Sequence, residues 1–273
     1  MLNFFSSQSS IRSEIDNEKW DYRRIILKKN EIKNQLLKYG IKKKNIVILL
    51  SSQTATFFAS LIAIWECGAC AACVSNSITE SEMKNILRKT KAQILVGNDS
   101  LSKFKIKIKK LNANQNFTEN KNFKIHKMLD IDQDALILFT SGTTGEPKGV
   151  VHNLRSIYSR INLNGKFIGK NFLKNSLCPL PTHFGHGLIG NCLTSLFFGS
   201  NLYLLSNFSA NQAINFGKII NENKITFISS VPTMWKLIIK VSESPKKSNL
   251  RIHIGSSQVT QSLLDSVSKW SKS

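Results

Sequence analysis

Acidic side chains are scarce: 17 Asp and Glu stand against 38 Lys and Arg in 273 residues, a formal net charge of +21. Arginine is scarce as well, filling 7 of those 38 basic positions against 31 for Lys. That shortage argues against a chain selected to read phosphate or guanine, a task that favours the planar, bidentate guanidinium. Lys, Ile and Asn together fill 88 positions. All three have A/T-rich codons, so biased codon usage is the expected main source of the charge, with a selected polyanion surface as the alternative. Nucleic acid is not an expected partner.

Five cysteines are too few for a disulfide scaffold in a chain of this length and point to a reducing compartment. The run Cys67-Gly-Ala-Cys70-Ala-Ala-Cys73 mimics metal-ligand spacing, but no later Cys or His pair completes a zinc set. It reads as buried small residues around a helix end and the next strand. No secretory signal is expected, because Met1-Leu-Asn-Phe-Phe-Ser-Ser7 has no basic start and no adequate apolar stretch. Uninterrupted long apolar runs are missing too. Residues 57–74 carry Glu66 and Gly68, and residues 187–205 carry Asn191, Gly199, Ser200 and Asn201. Each reads as a buried helix followed by a strand, and no membrane span is expected. The expected location is the cytoplasm. What is present, 41% hydrophobic residues and four Trp, excludes a disordered basic tail and suffices for a substantial core.

The pattern alternates helices and strands. Residues 17–39 predict an amphipathic helix with Ile25, Ile32 and Leu36 on one face and Gly40 as its stop. Strands are predicted at 45–50, 71–74 and 93–97, with helices at 54–66 and after the capping box Thr79-Glu-Ser-Glu82. Residues 103–110 alternate Lys with apolar groups at strand period and predict an edge strand whose charges block further pairing. Residues 112–122 are polar and irregular. Strands follow at 135–139, 176–179, 201–205, 225–229 and 250–254, with helices at 210–222, 231–241 and 258–270. Repeated strand–helix–strand units imply an α/β fold of parallel sheet in αβα layers.

One segment carries chemistry. The apolar strand at 135–139 runs into Thr140-Ser-Gly-Thr-Thr-Gly145, and Glu146-Pro147-Lys148-Gly149 then leads to a helix built on Leu154, Ile157, Tyr158 and Ile161. Gly142 and Gly145 let the backbone approach a bound oxyanion, and the hydroxyls of Thr140, Ser141, Thr143 and Thr144 add donors. Lys148 supplies a full positive charge suited to polyphosphate. A Walker A loop would place Lys and Ser/Thr directly after the second glycine, and this loop does not.

Residues 140–152, Thr-Ser-Gly-Thr-Thr-Gly-Glu-Pro-Lys-Gly-Val-Val-His, resemble the phosphate loop of the adenylate-forming superfamily. That superfamily includes acyl- and aryl-CoA ligases, peptide-synthetase adenylation domains and beetle luciferases. The resemblance implies that Thr140 through Gly145 wrap the β- and γ-phosphates of ATP, that Lys148 supports them, and that Thr140 contributes to the Mg²⁺ shell. Pro179-Leu-Pro-Thr-His-Phe-Gly-His-Gly-Leu188 is similar to the segment beside the acyl pocket, with His183 as its pocket histidine, Thr182 and His186 nearby, and Gly187 in the same pocket. Val231-Pro-Thr-Met234 resembles a segment opening a helix along that cavity. Gly255-Ser256-Ser257-Gln258 takes the place of a turn against adenine and substrate, departing from the family where Ala-Pro is usual.

The activity implied is two-step. A carboxylate displaces pyrophosphate from ATP to give an acyl-adenylate, and a thiol of CoA or phosphopantetheine then displaces AMP. Residues 1–273 correspond to the N-terminal AMP-binding domain, with a first α/β portion at about 17–130 and a second, holding the phosphate loop, at about 131–273. The family's distal magnesium Glu, ribose Asp and adenylation Lys are not among these residues. A complementary chain supplying them is one expectation. A non-catalytic nucleotide- or acyl-binding module, or a basic polyanion-binding protein, are the others.

Overall fold

Apolar runs, capping residues and helix-stopping glycines set most of the boundaries in this α/β chain. The computed structural model describes residues 4–116, 129–140, 148–206, 208–246 and 249–272. In chain order come β1 (Ser10–Ser13), β2 (Lys19–Asp21), α1 (Tyr22–Lys38), β3 (Ile46–Leu50), α2 (Ala55–Glu66) and β4 (Cys70–Val74). There follow α3 (Glu80–Thr90), β5 (Ile94–Gly97), β6 (Lys109–Asn112), β7 (Asp134–Thr140), β8 (Lys148–Asn153), α4 (Leu154–Ile168) and β9 (Asn175–Cys178). A π-helical segment at His186–Leu193 leads to α5 (Thr194–Phe197), β10 (Asn201–Leu204), α6 (Ala210–Ile214) and α7 (Phe216–Glu222). The last elements are β11 (Phe227–Ser230), α8 (Pro232–Val241), β12 (Arg251–Ile254) and α9 (Gln261–Ser271).

The chain forms two compact units. The first is built on Arg23–Ser159 with Thr182–Phe184, the second on Phe4–Tyr22, Arg160–Pro181 and Gly185–Ser273. Each carries a six-stranded sheet.

In the first unit the strand order is β6-β5-β3-β4-β7-β8, parallel except for the antiparallel β7/β8 pair. All five residues of β4 and four of the five in β3 are buried, as strands covered on both faces require. Helix α1 buries Ile25, Ile32 and Leu36, and Gly40 ends it at a φ of +81°, where a side chain would be strained. Helix α2 is buried along its whole length. Its Trp65 donates from Nε1 to the Ala135 carbonyl of β7 at 2.7 Å. Its last residue, Glu66, receives Lys29 at 2.8 Å and Lys33 at 2.7 Å from α1. Thr79 and Glu82 form the expected capping box, with Thr79 N donating to Glu82 at 2.8 Å and Glu82 N to Thr79 at 3.3 Å.

Two sequence expectations shift, and the cysteine reading holds. Residues 19–21, expected at the start of the first helix, form β2 instead, because antiparallel pairing with β1 lets Trp20 be buried. The lysine-rich stretch does supply the sheet edge, but only from Lys109 onward. Residues 104–108 are irregular, since burying Phe104 and packing Ile106 and Ile108 on the core outweighs strand alternation. Cys70 and Cys73 are buried and Cys67 half-buried. Burial pushes the Cys67 thiol up to about 11, Cys70 to about 12 and Cys73 higher still, which disfavours the thiolate that binds metal. Residues 117–128, within or beyond the stretch expected to be irregular, lie outside the described residues.

The second unit has strand order β12-β11-β9-β10-β1-β2, parallel except for β1/β2. Its core joins Trp235 and Trp270 edge to face at 5.5 Å, with Phe216 against both. Trp235 donates from Nε1 to Ser230 Oγ at 2.7 Å, which in turn donates to the His253 carbonyl at 2.9 Å. The helix expected over 210–222 is broken at Asn215, because the Gly217 amide donates to Ser242 Oγ at 3.0 Å rather than back along the helix. The final helix starts at Gln261 rather than 258, with Thr260 as its cap accepting from the Leu263 amide, and Leu263, Val267 and Trp270 are buried as expected. Among the described residues, no helix is long and apolar enough to cross a membrane.

Candidate functional site

The hydroxyl- and glycine-rich loop is closed by a hairpin. Strand β7 buries Ala135, Leu136, Ile137 and Leu138, then surfaces at Thr140. The helix built on Leu154, Ile157 and Ile161 is present as α4, but the strand before it was not expected. That strand, β8, pairs antiparallel with β7, Phe139 opposite Gly149 and Thr140 opposite Lys148. The exposed Val150 and Val151 suit an edge strand, which is the physical reason the helix waits until Leu154. Thr140 Oγ1 donates to the Lys148 carbonyl at 3.5 Å. Thr140 and Lys148 therefore stand together at the mouth of the loop, both exposed. Ser141, Gly142, Thr143, Thr144 and Gly145 lie outside the described residues.

Thr140 also borders a groove of about 290 Å³ within the first unit. Cys73, Val74, Ile78, Ile86 and Phe139 form its apolar wall, and His183 and Phe184 flank it. The Thr182 hydroxyl lies 2.9 Å from Ser51 Oγ and donates to the Ser52 carbonyl at 3.1 Å, pinning the segment that carries His183. The rings of His183 and Phe184 sit 4.2 Å apart. Among the described residues Nδ1 of His183 is buried without a hydrogen-bond partner, and burial holds this histidine below its ordinary pKa, so it is neutral at pH 7.

The remaining sequence candidates lie in the second unit. Gly187 is required where it stands, because a Cβ there would meet the Pro181 carbonyl oxygen at 2.6 Å. Gly187 lies in the first turn of the π-helical segment His186–Leu193. The ring of His186 bridges two hydroxyls, with Nε2 at 2.7 Å from Ser229 Oγ on β11 and Nδ1 at 2.7 Å from Ser256 Oγ after β12. Gly255 lies alongside: a Cβ at this position would sit 3.7 Å from His186 Cε1. Ser256 holds a φ of +68°, in the left-handed region, and is exposed, as is Ser257. His253 borders this cluster. Its Nε2 is buried without a partner among the described residues, and burial, the Arg251 charge and His186 all hold its pKa down.

The structure thus brings Thr140 and Lys148 together in one unit and Gly187, Gly255 and Ser256 together in the other. His183 belongs to the Thr140 groove, whereas the histidine that meets Ser256 is His186. The sequence points to His186 only as a neighbour of the preferred His183, and to Ser229 not at all. The signal available was the short spacing His183-Phe-Gly-His186 before Gly187, which offers two histidines without saying which turns to which partner.

The family model of the AMP-binding enzyme matches residues 8–273. The 2-succinylbenzoate–CoA ligase of Bacillus pumilus is 26% identical over 233 residues, 84% of this chain and 47% of that protein. The malonate–CoA ligase of Arabidopsis thaliana is 25% identical over 233 residues, 77% of this chain and 38% of that one. Among solved structures, the O-succinylbenzoate coenzyme A synthetase of Bacillus subtilis in complex with ATP and magnesium ion superposes with a TM-score of 0.81 at 20% identity, over 96% of this chain and 54% of that one. The chain spans about half the length of these relatives or less. With the family model covering nearly every residue, and two largely parallel sheets matching the N-terminal region of such ligases, the chain belongs to the AMP-binding, adenylate-forming enzyme family.

Proposed function

We propose that these residues are the ATP-handling part of a carboxylate–thiol ligase. The carboxylate oxygen of an acid attacks the α-phosphorus of ATP, the bond to the β-phosphate oxygen breaks, and pyrophosphate leaves with its electron pair. A thiol of CoA or phosphopantetheine then attacks the acyl carbon, AMP departs, and the thiol proton goes to solvent. The observation that carries this reading is the pairing of Thr140 with Lys148 across the mouth of a loop of hydroxyls and glycines. Backbone amides, hydroxyls from Thr140 to Thr144 and one ammonium make a donor set suited to polyphosphate oxygens.

Magnesium fits the same reading. Among the described residues no group of three His, Cys, Asp or Glu side chains forms a metal cage. An ion held mainly by nucleotide phosphates, with Thr140 as a protein oxygen, needs none. It would neutralise phosphate charge, while Lys148 would hold the departing pyrophosphate. In the other unit, Gly255, Ser256, Ser257 and Gly187 are assigned to the acyl and adenine contacts, and His183 to the groove beside Thr140. Turnover also needs the distal magnesium Glu, ribose Asp and adenylation Lys implied by the family, supplied from outside these residues or by a complementary chain.

Binding of Mg-ATP to the 273-residue chain tests the reading. Lys148→Met removes one charge-assisted contact and should weaken binding about 10- to 100-fold. ATP that binds equally well to the variant, or fails to bind the unaltered chain, overturns it. Salt-sensitive DNA binding without any ATP effect would instead favour a polyanion-binding protein.

A further inference from the structure

The His186 cluster has a direction, set by where its protons can go. Ser229 is 3% exposed, and among the described residues its hydroxyl meets one partner, Nε2 of His186 at 2.7 Å. A buried hydroxyl proton without an acceptor is costly, so Ser229 donates and Nε2 accepts. Burial lowers the pKa of His186, and the ring is neutral at pH 7. A neutral ring whose Nε2 accepts carries its proton on Nδ1. That proton goes to Ser256 Oγ, 2.7 Å away. One lone pair of the Ser256 oxygen is then taken, and its own hydroxyl proton points away from the ring. Because Ser256 is exposed, that proton is available to a ligand. The opposite tautomer would strand the buried Ser229 proton and gain nothing at Ser256, which water can serve either way. His253 on the neighbouring strand presents no charge that would reverse this order, since burial, the Arg251 charge and His186 all favour its neutral form.

We propose that Ser256 is a committed hydrogen-bond donor to an oxygen on the acyl substrate, so that the acid carries a second polar group, a carboxylate, hydroxyl or ketone, rather than a plain hydrocarbon chain. Ser229 and His186 are positioning residues that act through Ser256. This rests on the ligase reading above. A hydrocarbon laid against Ser256 strips water from its hydroxyl and returns no bond, whereas a carboxylate or carbonyl oxygen replaces that water. The discrimination expected from one such bond to a charged acceptor is about 10- to 100-fold.

The 273-residue chain labelled with nitrogen-15 histidine, assigned with His186→Asn, reports the tautomer with no ligand present. The expected result is a neutral His186 protonated on Nδ1, with that signature weakened in Ser229→Ala. Protonation on Nε2 overturns the proposal. Binding of hexanoate, ω-hydroxyhexanoate, adipate and AMP is then measured by ligand-observed NMR. Ser256→Gly is the variant of choice, because it removes the hydroxyl without holding a Cβ at positive φ. The unaltered chain should prefer adipate to hexanoate by about tenfold or more, and Ser256→Gly should erase that preference. Equal binding of the two acids, a preference that survives Ser256→Gly, or a loss confined to AMP each overturns the proposal. If no acid binds while His186 carries its proton on Nδ1, the ligase reading fails and the donor arrangement stands.

Discussion

Glu66 is the position where a single isosteric change should cost the fold most. Its side chain is 2% exposed and accepts Lys29 at 2.8 Å, whose side chain is 1% exposed, and the less buried Lys33 at 2.7 Å. Glu66→Gln keeps the shape and removes the charge that makes Lys29 tolerable between α1 and α2. Breaking a buried pair by neutralising one partner costs about 3–5 kcal/mol, most of it the uncompensated charge left behind. Lys29→Met should cost less, because Glu66 keeps Lys33. The double variant should be more stable than the sum of the two singles requires, by about 1 kcal/mol or more.

The pH dependence tests the cause rather than the size. Burial lowers the pKa of Lys29 from its ordinary 10.5, and the hydrogen bond and charge of Glu66 hold it up. Without Glu66 it falls further. Over the range between the folded and unfolded values the unfolded chain binds more protons, so stability rises with pH. The deficit of Glu66→Gln should therefore shrink as pH rises from neutrality toward 10.5, when the folded protein can release the Lys29 proton. Urea unfolding combined with hydrogen exchange in α2 measures both. A deficit below about 1 kcal/mol, or one that does not change with pH, refutes the reasoning.

Other perturbations follow from the same geometry. Gly187→Ala puts a Cβ 2.6 Å from the Pro181 carbonyl and should cost about 1–3 kcal/mol, while moving the His186 nitrogen resonances; an unchanged melting temperature rejects the contact. Asp132→Asn removes an Arg155 ion pair that is fully exposed, and should leave the unfolding midpoint unmoved; a clear drop would show that the pair is structural. Burial holds His183, His186 and His253 below their ordinary 6.5, so the unfolded chain takes up protons first and stability should fall as pH drops below about 6.5. Stability of the unaltered chain that is flat or rising over that range, or a fall that replacing His186 or His253 leaves unchanged, would contradict their burial.

What was legible in the sequence is what local rules fix. The capping box at Thr79 and Glu82, the run Ile46–Leu50 and the stop at Gly40 each depend on a few neighbouring residues, and each stands where those residues put it. The failures have a common cause in partners distant along the chain. Trp20 joins a strand because β1 is there to pair with it, and Lys148–Asn153 extends because β7 offers a free edge. Phe104 turns inward against a core that sequence alternation cannot register. The site divides along the same line. The proposed phosphate loop is contiguous, so residues 140–148 point to it, whereas the cluster at His186 joins Ser229 and Ser256, 43 and 70 residues further along the chain. Their chemistry also depends on which hydroxyl is buried, because burial forces Ser229 to donate and thereby fixes the ring proton on Nδ1. Two serines and a histidine in a sequence carry no such order. It appears only when one serine lies on an inner strand and the other in an exposed turn.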